Sequence, residues 1–158
     1  MALNDEETAT SWCLDSGSTS HMCYDKSKFT ELNENFNESS HIKLASNGKT
    51  TPIQGIGDVF IDHDLGTAKL TKTLYVPELS TNLLSISKIT DNGYDVLFKR
   101  NVAQILTKNG EVVTEAKRKN DLYFVKTKEE KAKLTKPNEN ENNMMSWHRK
   151  LAHMNEND

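Results

Sequence analysis

The stretch WCLDSGSTSHM, residues 12–22, places three apolar residues directly before an aspartate and a run of small polar residues. Residues 12–14 indicate a strand that enters a hydrophobic core, and Asp15 lies where that strand ends. Ser16 and Gly17 are small enough to permit a tight turn after it. Three interpretations fit: a polar loop, a phosphorylation-dependent degradation signal, or a strand that delivers one carboxylate to a catalytic site.

The degradation-signal interpretation rests on DSGSTS, residues 15–20, whose serines have the spacing of a doubly phosphorylated tag. Such a tag has to be exposed and flexible, whereas the apolar residues 12–14 predict burial directly beside it. The catalytic interpretation fits the apolar residues better. Asp-Ser-Gly behind an apolar strand is typical of one half of an aspartic protease site.

An aspartic protease site needs two such turns, because it works with two carboxylates about 3 Å apart that share one proton. One carboxylate acts as base on a bound water, and the protonated one polarises the scissile carbonyl. This chain contains a single Asp-Ser-Gly. A working site would therefore be a symmetric homodimer with one Asp15 from each chain. The Ser16 hydroxyl would hydrogen bond to the backbone of the second copy of the turn and so fix the positions of the two carboxylates. An acidic-to-neutral optimum of cleavage is expected.

Composition limits the other classes of function. The chain has 158 residues, a net charge of −3 and a mean hydropathy of −0.72. These values give no electrostatic case for nucleic-acid binding, and no segment is long and apolar enough for a membrane helix. The acidic residues 1–10 lack the apolar core of a signal peptide. Cys13 and Cys23 are therefore expected to be reduced thiols in an intracellular protein.

Residues 11–126 are predicted to form one all-β domain behind a flexible leader, residues 1–10. Asn47-Gly48 and Asn109-Gly110 predict hairpin turns. Glycines at 55 and 57 predict a bulge or a close backbone approach within a strand. The predicted strands are SWCLD, HIKLA, TPIQGIGDVFID, KLTKTLYV, YDVLF, VAQIL, EVVTEA and DLYFV. NLLSISKITDNG, residues 82–93, predicts a short helix with Gly93 at its C-terminal cap.

Beyond the predicted domain the composition changes. Residues 127–143 are almost wholly charged or amide side chains and predict a polar linker. Residues 144–158 form a small terminal segment, for which a short helix is expected. Two rival sites are weaker than the Asp-Ser-Gly turn. Cys13, His21 and Cys23 have irregular spacing for a metal site, and a nucleophilic pair of Cys23 with His41 has no supporting signature.

Five motifs occur in an order that resembles the Pol polyprotein of copia-type LTR retrotransposons. They are WCLDSGSTSHM, the Asn-Gly hairpin with its PIQGIG return arm, LYVPELSTNLLSISKI, DLYFV and WHRKLAHMN. Each motif is weak alone, and their order makes the match specific. The resemblance covers the protease domain and the start of the pre-integrase segment, residues 12–155.

The resemblance implies a retropepsin-like closed β-barrel with a flap hairpin and one short helix. Asp15 would be the catalytic aspartate, with Ser16 and Gly17 completing its turn. Residues 82–84 would cross near this turn and open the helix. The family usually has Ala where this chain has Ser18, and serine is small enough to fit. The flap that closes over substrate would be formed by Ser46, Asn47, Gly48 and Lys49.

The resemblance also implies partners and a location. The substrates would be peptides of the chain's own Gag-Pol polyprotein, and the partner a second copy of the chain, in cytoplasmic virus-like particles. No cofactor, membrane or direct nucleic-acid partner is expected. The alternative function is an inactive or domesticated fragment that serves as a protein-interaction module.

His148 and His153 resemble the histidine half of the His-His-Cys-Cys zinc knuckle that precedes an integrase core. A structural zinc site needs four ligands, and no cysteine follows His153 in this chain. No metal site is therefore expected here; zinc would need the missing cysteine pair of a longer polyprotein. The simpler interpretation is two exposed histidines on a short helix.

Overall fold

The structure, a computed structural model, describes residues 11–35, 41–43, 48–63 and 65–128, and the backbone of 145–149. The leader and most of the linker lie outside these residues. The strands are β1 (Ser11–Asp15), β2 (Met22–Cys23), β3 (His41–Lys43), β4 (Thr50–Pro52), β5 (Gly55–His63), β6 (Gly66–Tyr75), β7 (Asn82–Ser85), β8 (Asp95–Phe98), β9 (Val102–Leu106), β10 (Val112–Lys119), β11 (Leu122–Lys126) and β12 (Met145–Arg149). One α-helix, α1 (Ile86–Asp91), and a 3-10 turn at Lys26–Lys28 complete the described elements. No helix in this part of the chain is long and apolar enough to cross a membrane.

Ten strands form one sheet, and β3 with β4 forms a separate two-stranded sheet. The hydrogen-bonded order of the large sheet is β12-β6-β2-β7-β1-β11-β10-β9-β8, and β5 pairs with β6. Strand β5 alternates buried and half-buried residues, as a strand with one face on the core does. The predicted all-β class with one short α-helix is confirmed, and the sheet curls into a half-barrel.

Over the described residues the sheet curls into a half-barrel, consistent with the retropepsin-like all-β barrel that was expected. The outer edge of β5 is occupied by the segment that follows the 3-10 turn. Phe29 bridges to Val59, and Asn33 bridges to Ile56.

The core lies on one face of this sheet. Trp12 and Leu14 enter it from β1, with exposures of 3% and 6%. Fully buried aliphatic residues from β5, β6, β7, α1, β9 and β11 surround them. The degradation-signal interpretation required residues 12–20 to be exposed, so burial of this strand argues against it.

Both predicted helices were wrong in part. Asn82–Ser85 is strand β7, and the helix begins only at Ile86. The reason is pairing: β7 lies between β1 and β2 and hydrogen bonds to both. In the terminal segment Met145–Arg149 is a strand, not the expected helix. Its backbone pairs antiparallel with Gly66–Leu70 of β6, an edge that β2 leaves uncovered.

Candidate active site

The central strand β1 carries Asp15 to the edge of the core. It lies between β7, to which it runs parallel, and β11, to which it runs antiparallel. Four buried residues come before Asp15, which is half-buried. Strand β2 runs antiparallel to β7, so the loop from β1 to β2 passes over the end of β7. Asp15 is the register partner of Ser85 at that end.

The three residues proposed from sequence form one tight turn. The N–H of Gly17 donates to Asp15 Oδ1 at 2.8 Å, which fixes the orientation of the carboxylate. A Cβ atom added at Gly17 would lie 3.3 Å from the same oxygen, closer than most real contacts. Ser16 and Gly17 are exposed. The turn therefore presents one carboxylate, two exposed small residues and no bulky side chain at the molecular surface.

Ser18 stands where the family that the sequence resembles usually has alanine. The structure accommodates its hydroxyl. The residue is 7% exposed. Its Oγ donates to the carbonyl of Ser20 at 2.6 Å. Because the buried hydroxyl has a hydrogen-bond partner, burying it leaves no hydrogen bond unmade. The serine therefore fits within the loop.

A buried polar pair below the turn was missed by the sequence analysis. Ser85 Oγ donates to the Ser18 carbonyl at 2.7 Å, and the Ser85 N–H donates to His21 Nδ1 at 3.0 Å. Ser85 is also the N-cap of α1 and accepts from the N–H of Lys88. A serine before an apolar helical run is an N-cap signal that could have identified Ser85. Nothing local in the sequence marks His21.

His21 is held in its neutral form. Burial and, secondarily, the positive charge of Lys88 lower the pKa of His21 from 6.5 to about 4. Because Nδ1 accepts the Ser85 N–H, it carries no proton, and the imidazole proton resides on Nε2. At neutral pH His21 therefore acts as a hydrogen-bond acceptor and not as a charge.

The two cysteines are buried and are not joined in a disulfide, as expected. Burial, followed by the charge of Asp15, raises the pKa of Cys13 to about 11. Burial raises the pKa of Cys23 to about 12. A nucleophile or metal ligand has to be a thiolate, so these thiols are poor candidates for either role. Within the described residues no group of three His, Cys, Asp or Glu could hold a metal ion.

The predicted flap falls on the separate two-stranded sheet. Strands β3 and β4 pair antiparallel, with Lys43 opposite Thr50 as the pair nearest the tip. Gly48 has φ = +69°, a conformation that favours glycine, and both Gly48 and Lys49 are exposed. The expected flap residues Ser46 and Asn47 lie outside the described residues.

The base of this hairpin is attached to the loop between β6 and β7 of the large sheet. Thr51 is 1% exposed, and its hydroxyl donates to the carboxylate of Glu78. The two histidines that resemble half of a zinc knuckle lie elsewhere in the chain. The backbone of His148 belongs to β12, and its side chain and His153 lie outside what the structure describes.

Comparisons with known proteins identify the family. The model of the Pol polyprotein beta-barrel domain matches residues 12–94, more than half of the chain. A Ty5-1 transposon protein of Saccharomyces cerevisiae is 38% identical over 79 residues, which cover 49% of this chain and 49% of that protein. The Retrovirus-related Pol polyproteins from transposons RE1 and RE2 of Arabidopsis thaliana are each 27% identical over 157 residues.

These alignments differ in how much of each relative they include. The two plant alignments cover 97% of this chain, but only 10% and 11% of the polyproteins. The chain thus spans about half of the yeast relative and about a tenth of the plant relatives. The resemblance to retrotransposon Pol polyproteins is confirmed: the chain belongs to the Pol polyprotein beta-barrel domain family and is a Pol region of a retroelement.

Proposed function

We propose that this chain is an aspartic endopeptidase and that it acts as a homodimer. The observation that carries the proposal is the turn at the end of β1. There a buried strand delivers Asp15 to the surface, and the Gly17 N–H orients its carboxylate. Family membership supports this assignment, because the turn lies within the matched residues 12–94.

The need for a second carboxylate makes the dimer part of the proposal. The sequence holds one Asp-Ser-Gly. Ser16 and Gly17 are exposed beside Asp15, so a second copy can approach without displacing a large side chain. A two-fold axis at this turn would bring the two Asp15 carboxylates together.

The proposed reaction is hydrolysis without a covalent intermediate. One Asp15 takes a proton from a bound water, whose oxygen attacks the peptide carbonyl carbon. The other Asp15, protonated at the start, gives its proton to the carbonyl oxygen. The tetrahedral diol then collapses: the C–N bond breaks, and the amine nitrogen takes the proton held by the first Asp15. One diol hydroxyl gives its proton to the second Asp15, so the carboxylate pair is again singly protonated.

The hairpin of β3 and β4 would serve as the flap. Its tip, residues 46–49, would close over the substrate backbone and exclude water during the reaction. Gly48 has a positive φ, which glycine adopts readily and which suits a tight turn at the tip. Buried Thr51, bonded to Glu78, would hold the base of the hairpin in place while the tip moves.

The remaining partners follow from the same proposal. The substrates would be peptides of the parent Gag-Pol polyprotein, cleaved in cytoplasmic virus-like particles. The reaction as written uses no cofactor, and neither a membrane nor a nucleic acid takes part in it.

The decisive experiment is cleavage of a polyprotein fragment that spans the borders of this domain, at pH about 5 to 7. Wild type and Asp15→Asn are compared, each with and without pepstatin. Asparagine has nearly the same shape and keeps an oxygen that can accept the Gly17 N–H, so the fold should persist. We expect wild-type cleavage that pepstatin inhibits, and no cleavage above background by Asp15→Asn.

Either of two results would contradict the proposal. Cleavage by the Asp15→Asn chain would remove Asp15 from the mechanism. Absence of cleavage by wild type at high protein concentration would favour the alternative, a protease-like fold that serves as a protein-interaction module.

A further inference from the structure

The loop that carries Asp15 is tied to the rest of the molecule by two buried hydrogen bonds below it. Ser85 Oγ donates to the carbonyl of Ser18, and the Ser85 N–H donates to His21 Nδ1. Ser85 is 0% exposed and His21 3% exposed. Ser85, on the strand that runs beside Asp15, therefore binds both the middle and the end of the loop.

His21 itself is fixed from a second side. Its backbone carbonyl accepts the N–H of Leu74 in β6 at 2.9 Å. Its ring accepts the N–H of Ser85 in β7. The residue thus bridges two neighbouring parts of the sheet, and the Ser85 N–H fixes the orientation of its ring.

We propose that Ser85 and His21 are positioning residues for Asp15, which hold the Asp-Ser-Gly turn at the place where two copies of it have to meet. This inference rests on the proposed protease function. Asp15 and Ser85 are register partners on adjacent parallel strands. A shift of the loop relative to Ser85 is therefore a shift of the carboxylate relative to the sheet.

The proposed chemistry makes such a shift costly. Two carboxylates have to lie about 3 Å apart to share one proton. A misplacement of about 1 Å at a reacting group lowers the rate by roughly 100-fold. Gly17 leaves the turn without side-chain packing of its own, and Ser16 is exposed. The buried bonds of Ser18 and His21 to Ser85 supply the rigidity that the turn lacks.

The first test compares kcat and KM of three variants with those of wild type. Ser85→Ala removes the hydroxyl that holds Ser18, and His21→Leu removes the acceptor for the Ser85 N–H. His21→Asn keeps an acceptor oxygen in nearly the position of Nδ1. We expect kcat to fall by about tenfold or more in Ser85→Ala and His21→Leu, with KM within about twofold. His21→Asn should restore most of the wild-type kcat.

Thr90→Ala is the matched control. Thr90 is exposed on the same helix α1, and its hydroxyl donates to the carbonyl of Ser87 and not to the loop. The control variant should keep the wild-type kcat. Equal kcat values in wild type, Ser85→Ala and His21→Leu would overturn the positioning role while leaving the protease function intact.

Hydrogen exchange of the Gly17 amide tests the same inference without relying on cleavage. Its N–H bonds to Asp15 only while the turn is closed. We expect exchange at Gly17 to be about fivefold faster or more in Ser85→Ala than in Thr90→Ala. Unchanged exchange at Gly17 in folded Ser85→Ala would overturn the inference. A wild type that fails to cleave would overturn the proposed function, and this exchange measurement would still decide whether Ser85 holds the turn.

Discussion

The residues on both sides of Asp15 determine its position, and the strand and turn that they form could be predicted from the sequence. The apolar residues 12–14 predict a buried strand, and Ser16 with Gly17 predicts a tight turn; both predictions are confirmed. The contacts below the turn could not be predicted in the same way. Ser85 lies 64 residues from His21 and 67 from Ser18 in sequence. Such hydrogen bonds join residues that only the fold brings together, and no local sequence pattern predicts them.

The neutral state of His21 makes the stability of the fold depend on pH. In the unfolded chain His21 takes up a proton near pH 6.5, whereas burial lowers its pKa in the folded chain to about 4. Between these values the unfolded state binds more protons, so the free energy of unfolding falls as the pH drops from about 6.5 to about 4. The loss from this group reaches about 3 kcal/mol near pH 4 and levels off below that pH.

Urea denaturation at pH 7 and pH about 4.5, at one protein concentration, measures this dependence. His21→Asn should lose less stability between the two pH values than wild type, since asparagine does not titrate. His41→Asn, which replaces an exposed histidine, serves as the control and should behave as wild type does. An equal loss in wild type and His21→Asn would show that another group causes it.

Among the elements, strands with regular alternation were predicted well and short buried strands were not. The hairpin turn at Asn109-Gly110 is confirmed, with Gly110 at φ = +84° between β9 and β10. Strand β7 was interpreted as part of a helix, because its four residues, three buried and one half-buried, show no clear alternation. Strand β12 was not predicted, because it follows the predicted linker and forms by pairing with the edge of β6.

The glycine prediction in β5 is confirmed, and it yields a stability test. The register shifts between Gly57 and Val59, and the segment from Phe29 to Asn33 passes directly over this point. A Cβ atom at Gly57 would lie 2.4 Å from the carbonyl oxygen of Glu31, which is backbone and cannot rotate away. Gly57→Ala should therefore lower the free energy of unfolding by about 1–3 kcal/mol.

Gly55→Ala is the matched comparison, two residues earlier on the same buried side of β5. Its added Cβ would first meet the end of the Leu32 side chain, at 2.8 Å, and this side chain can move. We expect a smaller loss for Gly55→Ala than for Gly57→Ala, measured as denaturation midpoints at equal protein concentration. A loss at Gly57 no larger than that at Gly55 would argue against the close backbone approach.

At the scale of the whole molecule, one chain offers half of the proposed site. The chain has a net charge of −3 spread over 43 charged side chains, 20 basic and 23 acidic. Long-range repulsion between two copies is correspondingly weak, so pairing at the turn meets little electrostatic opposition. The resemblance in sequence implies the pairing, since the sequence of one chain holds a single Asp-Ser-Gly.

Mixing active and inactive chains tests this division of the site. Wild type is incubated with about a ninefold excess of Asp15→Asn, at a concentration at which wild type is dimeric. If chains pair at random, most wild-type chains join a partner that lacks the second carboxylate. Cleavage per wild-type chain should then fall about tenfold by mass action. An equal mass of serum albumin in place of the variant controls for crowding and should leave the rate unchanged.

Dilution supplies the complementary measurement on wild type alone. A site shared between two chains loses activity per chain as the protein is diluted below the dissociation constant of the dimer. A site complete within one chain keeps its activity per chain at every dilution and ignores added Asp15→Asn. Those two results together would place both catalytic groups in a single copy, and the single Asp-Ser-Gly turn would then need a partner residue other than a second Asp15.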